Sequence, residues 1–175
     1  MSLKVKHSGK VPQSDLRAGT TLRITHRTEV RVLQWNAGGF SHSKKTELEN
    51  ILESESIDVF IIQEANITNE ELKYYSFKRY SIHILPKSRQ IASGILVGIQ
   101  NTLIHKFNIT KQMEENDKSE IIKIDVYKSN NHLTIYGIYN PPNNDPNLDL
   151  LHISSKTMIV GDFNAHFADV GYRDK

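Results

Sequence analysis

With 175 residues, 38% of them hydrophobic and 24% charged, the chain is large enough for one domain with a buried core. No apolar run approaches the length needed to span a bilayer, and Met1-Ser2-Leu3-Lys4-Val5-Lys6 lacks the apolar segment of a secretory signal. The chain has no cysteine, which rules out disulfides, Cys-ligated zinc and thiol catalysis and fits a reducing, intracellular compartment.

The net charge of +2 is unevenly distributed. Residues 1–31 hold seven Lys/Arg against two Asp/Glu, and the other 144 residues hold fifteen against eighteen. A basic, flexible arm over residues 1–28 is expected, attracted to polyanions or simply solvated, since Ser, Gly, Thr and Pro are interspersed. The ordered domain is expected to span 29–175. Val30 to Trp35 alternates and is rich in β-formers, so it reads as a strand. Asn36-Ala37-Gly38-Gly39 ends it. Ser43 then reads as the N-cap of a helix over Lys44–Ser54, with Leu48, Ile51 and Leu52 on one face. The nearly continuous apolar run Ile57–Ile62 predicts a central strand covered on both faces, ending at Gln63-Glu64. Strand, helix and strand in that order imply a right-handed βαβ unit with parallel strands.

Strand candidates follow at Tyr80–Leu85, Gly94–Ile99, Leu103–Ile109, Glu120–Tyr127 and Leu133–Tyr139, with a hairpin turn at Ser129-Asn130-Asn131. Pro141 to Pro146 is a rigid loop leading to a short helix at Leu148–Ile153. Met158–Val160 is a last buried strand, after which Gly161 is expected to turn the chain sharply. Beyond it Asp162, Asn164 and His166 alternate, a spacing that points all three to one side of an extended segment. The pattern predicts one α/β domain with a mixed sheet, or two sheets packed together.

Asn36, Glu64, Tyr139, Asp162 and Asn164 all stand at the carboxyl ends of expected strands, where layered α/β proteins bind ligands. Each alone has an ordinary reading: a turn Asn, a capping or ion-paired Glu, a packed Tyr, an Asp/Asn turn. Together they give oxygen donors without cysteine or clustered histidine, which suit a hard cation such as Mg²⁺, with Mn²⁺ as an alternative. A second carboxylate held by an Asn suits positioning or deprotonating a water, the chemistry of phosphate ester hydrolysis.

Five segments, taken in order, carry a resemblance: Leu33-Gln34-Trp35-Asn36, Asp58–Glu64, Ser93–Val97, Ile138-Tyr139-Asn140-Pro141-Pro142 and Gly161-Asp162-Phe163-Asn164-Ala165-His166. They resemble the motifs of the endonuclease/exonuclease/phosphatase superfamily, and most of all the apurinic-endonuclease-like domain of non-LTR retrotransposons of LINE and jockey type. The resemblance implies a four-layered α/β sandwich of two mixed sheets flanked by helices. It implies Mg²⁺-dependent nicking of DNA, with DNA as partner and substrate and the nucleus as the compartment if that DNA is genomic, and without a membrane or small-molecule cofactor.

Residue by residue, it implies that Glu64 and Asn36 hold the metal and that Tyr139 donates to the scissile phosphate. Asp162 would orient or deprotonate the attacking water, Asn164 would hold Asp162 and the phosphate, and His166 would lie behind the site or touch substrate. The family's closing Asp-His segment has no counterpart after His166. The expectation is therefore a C-terminally truncated domain, missing its last strands, with an exposed sheet edge and impaired activity. Two alternatives remain open: a catalytically dead nucleic-acid-binding remnant, and a phosphatase of the same superfamily. The sequence leaves oligomeric state undetermined.

Overall fold

The computed structural model describes residues 20–23, 30–129 and 131–164. Nine strands form two stacked mixed sheets. The first contains β1 (Thr20–Arg23), β2 (Arg31–Asn36), β3 (Val59–Gln63), β4 (Tyr80–Leu85) and β5 (Ile95–Gln100), in the order β1-β2-β3-β5-β4. The second contains β6 (Ile104–Lys111), β7 (Glu120–Lys128), β8 (Asn131–Tyr139) and β9 (Thr157–Asp162), in that order. Each sheet has one parallel pair, β2 with β3 and β8 with β9, and its other pairs are antiparallel. This is the expected two-sheet sandwich. Its helical cover among the described residues is α1 (His42–Glu55) and two 3₁₀ turns, at Leu72–Tyr74 and Leu148–Leu150.

The two-residue period of β-structure sorts the core into layers. Val59 and Ile61 of β3 face the second sheet and meet Val97, Ile122, Ile124 and Ile135 in the layer between the sheets. Phe60 and Ile62 point the other way and pack with Leu33, Trp35, Leu96 and the Leu48 and Leu52 stripe of α1. All five residues of β3 are buried: the apolar run Val59–Ile62 accounts for four, and the fifth, Gln63, accepts at Oε1 from Gln34 Nε2 at 2.7 Å. On the outer face of the second sheet Ile121, Tyr136, Ile138 and Leu151 form a smaller cluster, with Ile159 and Phe163 partly buried against it. No helix among the described residues is long and apolar enough to cross a membrane.

Several local expectations change. The helix starts two residues earlier than expected: its N-cap is Ser41, whose hydroxyl accepts from Lys44 N at 3.4 Å, while Ser43 lies inside the first turn. Strand β1 falls within the stretch read as a basic arm, where Thr20-Thr21-Leu22 supplies β-formers that pair with Val32 to Gln34. Gly161 makes no turn. It continues β9 opposite Ile138, and glycine is needed because a Cβ there would collide with the Ile138 carbonyl.

Side chains also tie the sheets together away from the layer between them. Lys128 at the end of β7 reaches both oxygens of buried Asp58, at 3.0 and 2.8 Å. His83 on β4 and His105 on β6 bring their Nε2 atoms to 3.0 Å, and the His83 ring stacks on Phe107. Burial, reinforced by the neighbouring His105, pushes the His83 imidazole below its ordinary value. An unfolded His83 takes up a proton near pH 6.5 that the folded one refuses, so stability is retained above that pH and falls as the medium is acidified through it. The expected result is a melting temperature that drops between about pH 7 and about pH 5. A His83→Gln variant should lose part of that acid sensitivity, as measured by thermal melts across the series.

Candidate active site

The parallel pairs explain where the polar residues gather. β2 and β3 run the same way, as do β8 and β9, so the carboxyl ends of each pair lie side by side. Asn36 ends β2, Glu64 follows β3, Tyr139 ends β8 and Asp162 ends β9. The sandwich then closes β2 against β9 and brings the four together.

At the centre is the Asn36 amide. Its Nδ2 donates to Glu64 Oε1 at 3.0 Å and to Asp162 Oδ2 at 2.5 Å, bridging a carboxylate from each sheet. Its Oδ1 accepts from Gly38 N at 3.1 Å, closing an Asx-type turn in which Gly38 and Gly39 both have positive φ. Lys44 on α1 donates to the carbonyls of Ala37 and Gly39 and so fastens this turn to the helix. Glu64 has φ 49°, a left-handed conformation uncommon outside glycine and of the kind that collects at functional sites. Its carbonyl accepts from Gly39 N at 2.7 Å.

Asp162 Oδ1 accepts from Asn164 N at 3.1 Å, so both of its oxygens are held. Asn164 has φ 43°, which breaks the extended alternation expected beyond Asp162. Its Nδ2 turns back to donate to the Asn140 carbonyl at 2.8 Å. The Asp/Asn turn is therefore real, and it is also part of the cluster. His166 lies outside the described residues. Tyr139 is 1% exposed, and its phenol is pushed up to about 12 by burial, with the nearby Glu64 charge adding to the effect and Arg89 opposing it. It therefore stays a protonated hydrogen-bond donor at neutral pH.

The structure adds residues that the sequence did not single out. Arg89 Nη2 donates to the Tyr139 hydroxyl at 3.3 Å. Glu120, opposite Tyr139 in the ladder, is 0% exposed and accepts from Ser93 Oγ at 2.9 Å and Gly94 N at 2.8 Å. Burial pushes its carboxyl up to about 7 against those donors. Asn140 donates from Nδ2 to the carbonyls of Asn144 and Phe163, which anchors the Pro141–Pro146 loop beside the site.

Among the described residues no three His, Cys, Asp or Glu side chains cluster as a metal site, and no Lys or Arg is ion-paired with Glu64 or Asp162. Two oxygen-bearing carboxylates held together without a neutralising side chain fit a hard divalent cation that completes its shell with water and substrate phosphate.

No family model and no curated protein matches this sequence. Solved structures do match. A D. rerio TDP2 complexed with single-strand DNA product superposes with TM-score 0.54 at 13% identity, over 81% of this chain and 63% of that one. The human nocturnin catalytic domain with bound sulfate superposes with TM-score 0.54 at 14% identity, over 85% and 68%. This chain has the endonuclease/exonuclease/phosphatase fold. A D. rerio TDP2 humanized by 14 mutations gives TM-score 0.56 at 14% identity, over 81% of this chain and 70% of that one. At such identities the likeness is one of fold alone, and this chain covers 63%, 70% and 68% of the length of these three structures.

Proposed function

We propose that this domain hydrolyses DNA phosphodiester bonds with the help of Mg²⁺, nicking one strand to leave a 3′-hydroxyl. The observation that carries this reading is the Asn36 amide bridging Glu64 and Asp162, which fixes two carboxylates from different sheets on one small locus. Glu64 and Asn36 would hold the cation, Glu64 through a carboxylate oxygen and Asn36 by orienting that carboxylate. When bound, the cation would supply Lewis-acid polarisation of a phosphate oxygen. Asp162, with both oxygens already fixed, positions a water and accepts its proton as the water attacks phosphorus; the bond from phosphorus to the 3′-oxygen breaks, and that oxygen takes a proton from solvent to leave as the 3′-hydroxyl. Tyr139 keeps its proton and donates to a phosphate oxygen. Asn164 holds Asp162 from the far side of the turn.

The choice of DNA over other phosphate esters is supported by the Asn-Ala-Gly-Gly, Tyr-Asn-Pro-Pro and Gly-Asp-Phe-Asn-Ala-His segments, which resemble the retrotransposon nucleases. On that reading the substrate is genomic DNA in the nucleus. Supercoiled plasmid incubated with the protein and Mg²⁺ is expected to convert to the nicked circle, and EDTA is expected to stop it. A phosphoinositide assay run alongside supplies the contrary outcome: release of inorganic phosphate with the plasmid left intact would replace the nuclease reading with a phosphatase.

A further inference from the structure

We propose that Arg89 is a substrate-phosphate-binding residue of this site, presented beside Tyr139 by a loop whose base is clamped to the buried Glu120. The proposal rests on the phosphodiester reading above and adds to it a cation that none of the five sequence motifs contains.

The loop joins β4 to β5 over residues 86–94. Its two ends approach so closely that a Cβ on Gly94, whose φ is 85°, would lie 3.0 Å from Lys87 N and 3.2 Å from the Leu85 carbonyl. Ser93 Oγ donates to Glu120 and accepts from Ser88 N at 2.8 Å, which joins both sides of the loop to one buried carboxylate. Glu120 is a costly group to place in a fully buried position, and its two acceptor bonds both go to the base of this loop. Ser93 is also tied to the segment that follows Glu64: Asn66 N donates to the Ser93 carbonyl at 2.9 Å, and Ser93 N donates to the Asn66 side-chain Oδ1 at 3.2 Å.

Arg89 is exposed, yet it is held in place. Its Nε and Nη2 donate to the Ala92 carbonyl at 3.0 and 2.7 Å, and Nη2 reaches the Tyr139 hydroxyl. Ala92 has φ 53°, an unusual backbone for alanine that turns this carbonyl toward the guanidinium. Among the described residues Arg89 has no carboxylate within ion-pair distance, and its Nη1 has no acceptor. A guanidinium that is fixed, has no ion-paired carboxylate and stands next to a phenol donor is arranged to donate its two remaining N–H groups, both on Nη1, to a phosphate. A cation fixed before substrate arrives stabilises developing phosphate charge without reorganising, so its effect extends to rate as well as affinity.

The test uses the full chain and two readouts. One is the salt dependence of binding to a fluorescein-labelled duplex oligonucleotide in EDTA, followed by anisotropy. The other is single-turnover cleavage of that duplex in Mg²⁺. Arg89→Ala is expected to reduce the slope of log affinity against log salt by about 0.9, the value for one lost phosphate contact on duplex DNA. It should slow cleavage by about 100- to 1,000-fold. Arg89→Lys should recover the slope while leaving cleavage slow, because an ammonium on its flexible stem is not pinned to the Ala92 carbonyl as the guanidinium is. Glu120→Gln should slow cleavage in the wild-type background and add little in the Arg89→Ala background, since it acts through Arg89.

An unchanged slope with cleavage within about threefold of wild type in Arg89→Ala would overturn the proposal while leaving the nuclease reading intact. A melting temperature lowered by Arg89→Ala, with no recovery of the slope in Arg89→Lys, would assign Arg89 to loop structure alone. A wild type that cleaves nothing but binds with an Arg89-dependent slope would keep the phosphate contact and remove the hydrolysis reading. A wild type that neither binds nor cleaves would remove both.

Discussion

Asp162→Asn is expected to slow phosphodiester cleavage by about 100- to 10,000-fold, the range for losing a positioned general base. The substitution keeps the shape of the side chain and removes its charge. Asp162 Oδ2 accepts from Asn36 and Oδ1 from Asn164 N, so an amide must turn its NH₂ toward one donor or the other. One of the two hydrogen bonds is lost either way, at about 0.5–1.5 kcal/mol. The domain should remain folded, with a melting temperature only a few degrees lower by calorimetry. Cleavage by a folded Asp162→Asn protein at a rate near wild type would show that the proton goes elsewhere.

Glu64→Gln should act on the metal instead. Gln retains an oxygen for the Asn36 amide and the same side-chain length, so the bridge to Asp162 survives. The charge that would face a cation is gone. Apparent Mg²⁺ affinity, measured by calorimetric titration without substrate, is expected to fall at least about 10- to 100-fold, the loss typical of disturbing a group that merely orients a ligand. Cleavage should then recover partly as Mg²⁺ is raised, whereas Asp162→Asn should not respond to extra metal. If Glu64→Gln bound Mg²⁺ as tightly as wild type, the cation would have to sit elsewhere.

Much of this arrangement is legible in the sequence because the strands declare themselves. Val59 to Ile62 is apolar without interruption, since β3 is covered on both faces, and β4 matches its expected span residue for residue. Asn36, Glu64, Tyr139 and Asp162 were marked by one rule, that parallel strands gather ligands at their carboxyl ends. The same rule hides Glu120 and the Ser93–Gly94 clamp. β5 and β7 run antiparallel to β3 and β8, so it is their amino ends that arrive at the site. Glu120 could have been suspected from its position at the head of an apolar run, where a charge is otherwise out of place. Arg89 gives no comparable signal, since a loop arginine is ordinarily solvated and its placement depends on Ala92 and Tyr139. Gly161 is ambiguous in the sequence because glycine serves both turns and close approaches, and only the pairing with Ile138 distinguishes them.

The bridge through Asn36 also sets a timetable. Asn36 and Asp162 are 126 residues apart in the chain, and β9 is synthesised after every strand it must join. At about 5–20 residues per second, the ribosome takes roughly 6–25 s to travel from one to the other. Once Glu64 has been added the Asn36 amide has its first carboxylate, but the one that completes the pair has not emerged. A nascent chain bearing the whole first sheet therefore lacks the bridge, which comes into being only when the second sheet docks.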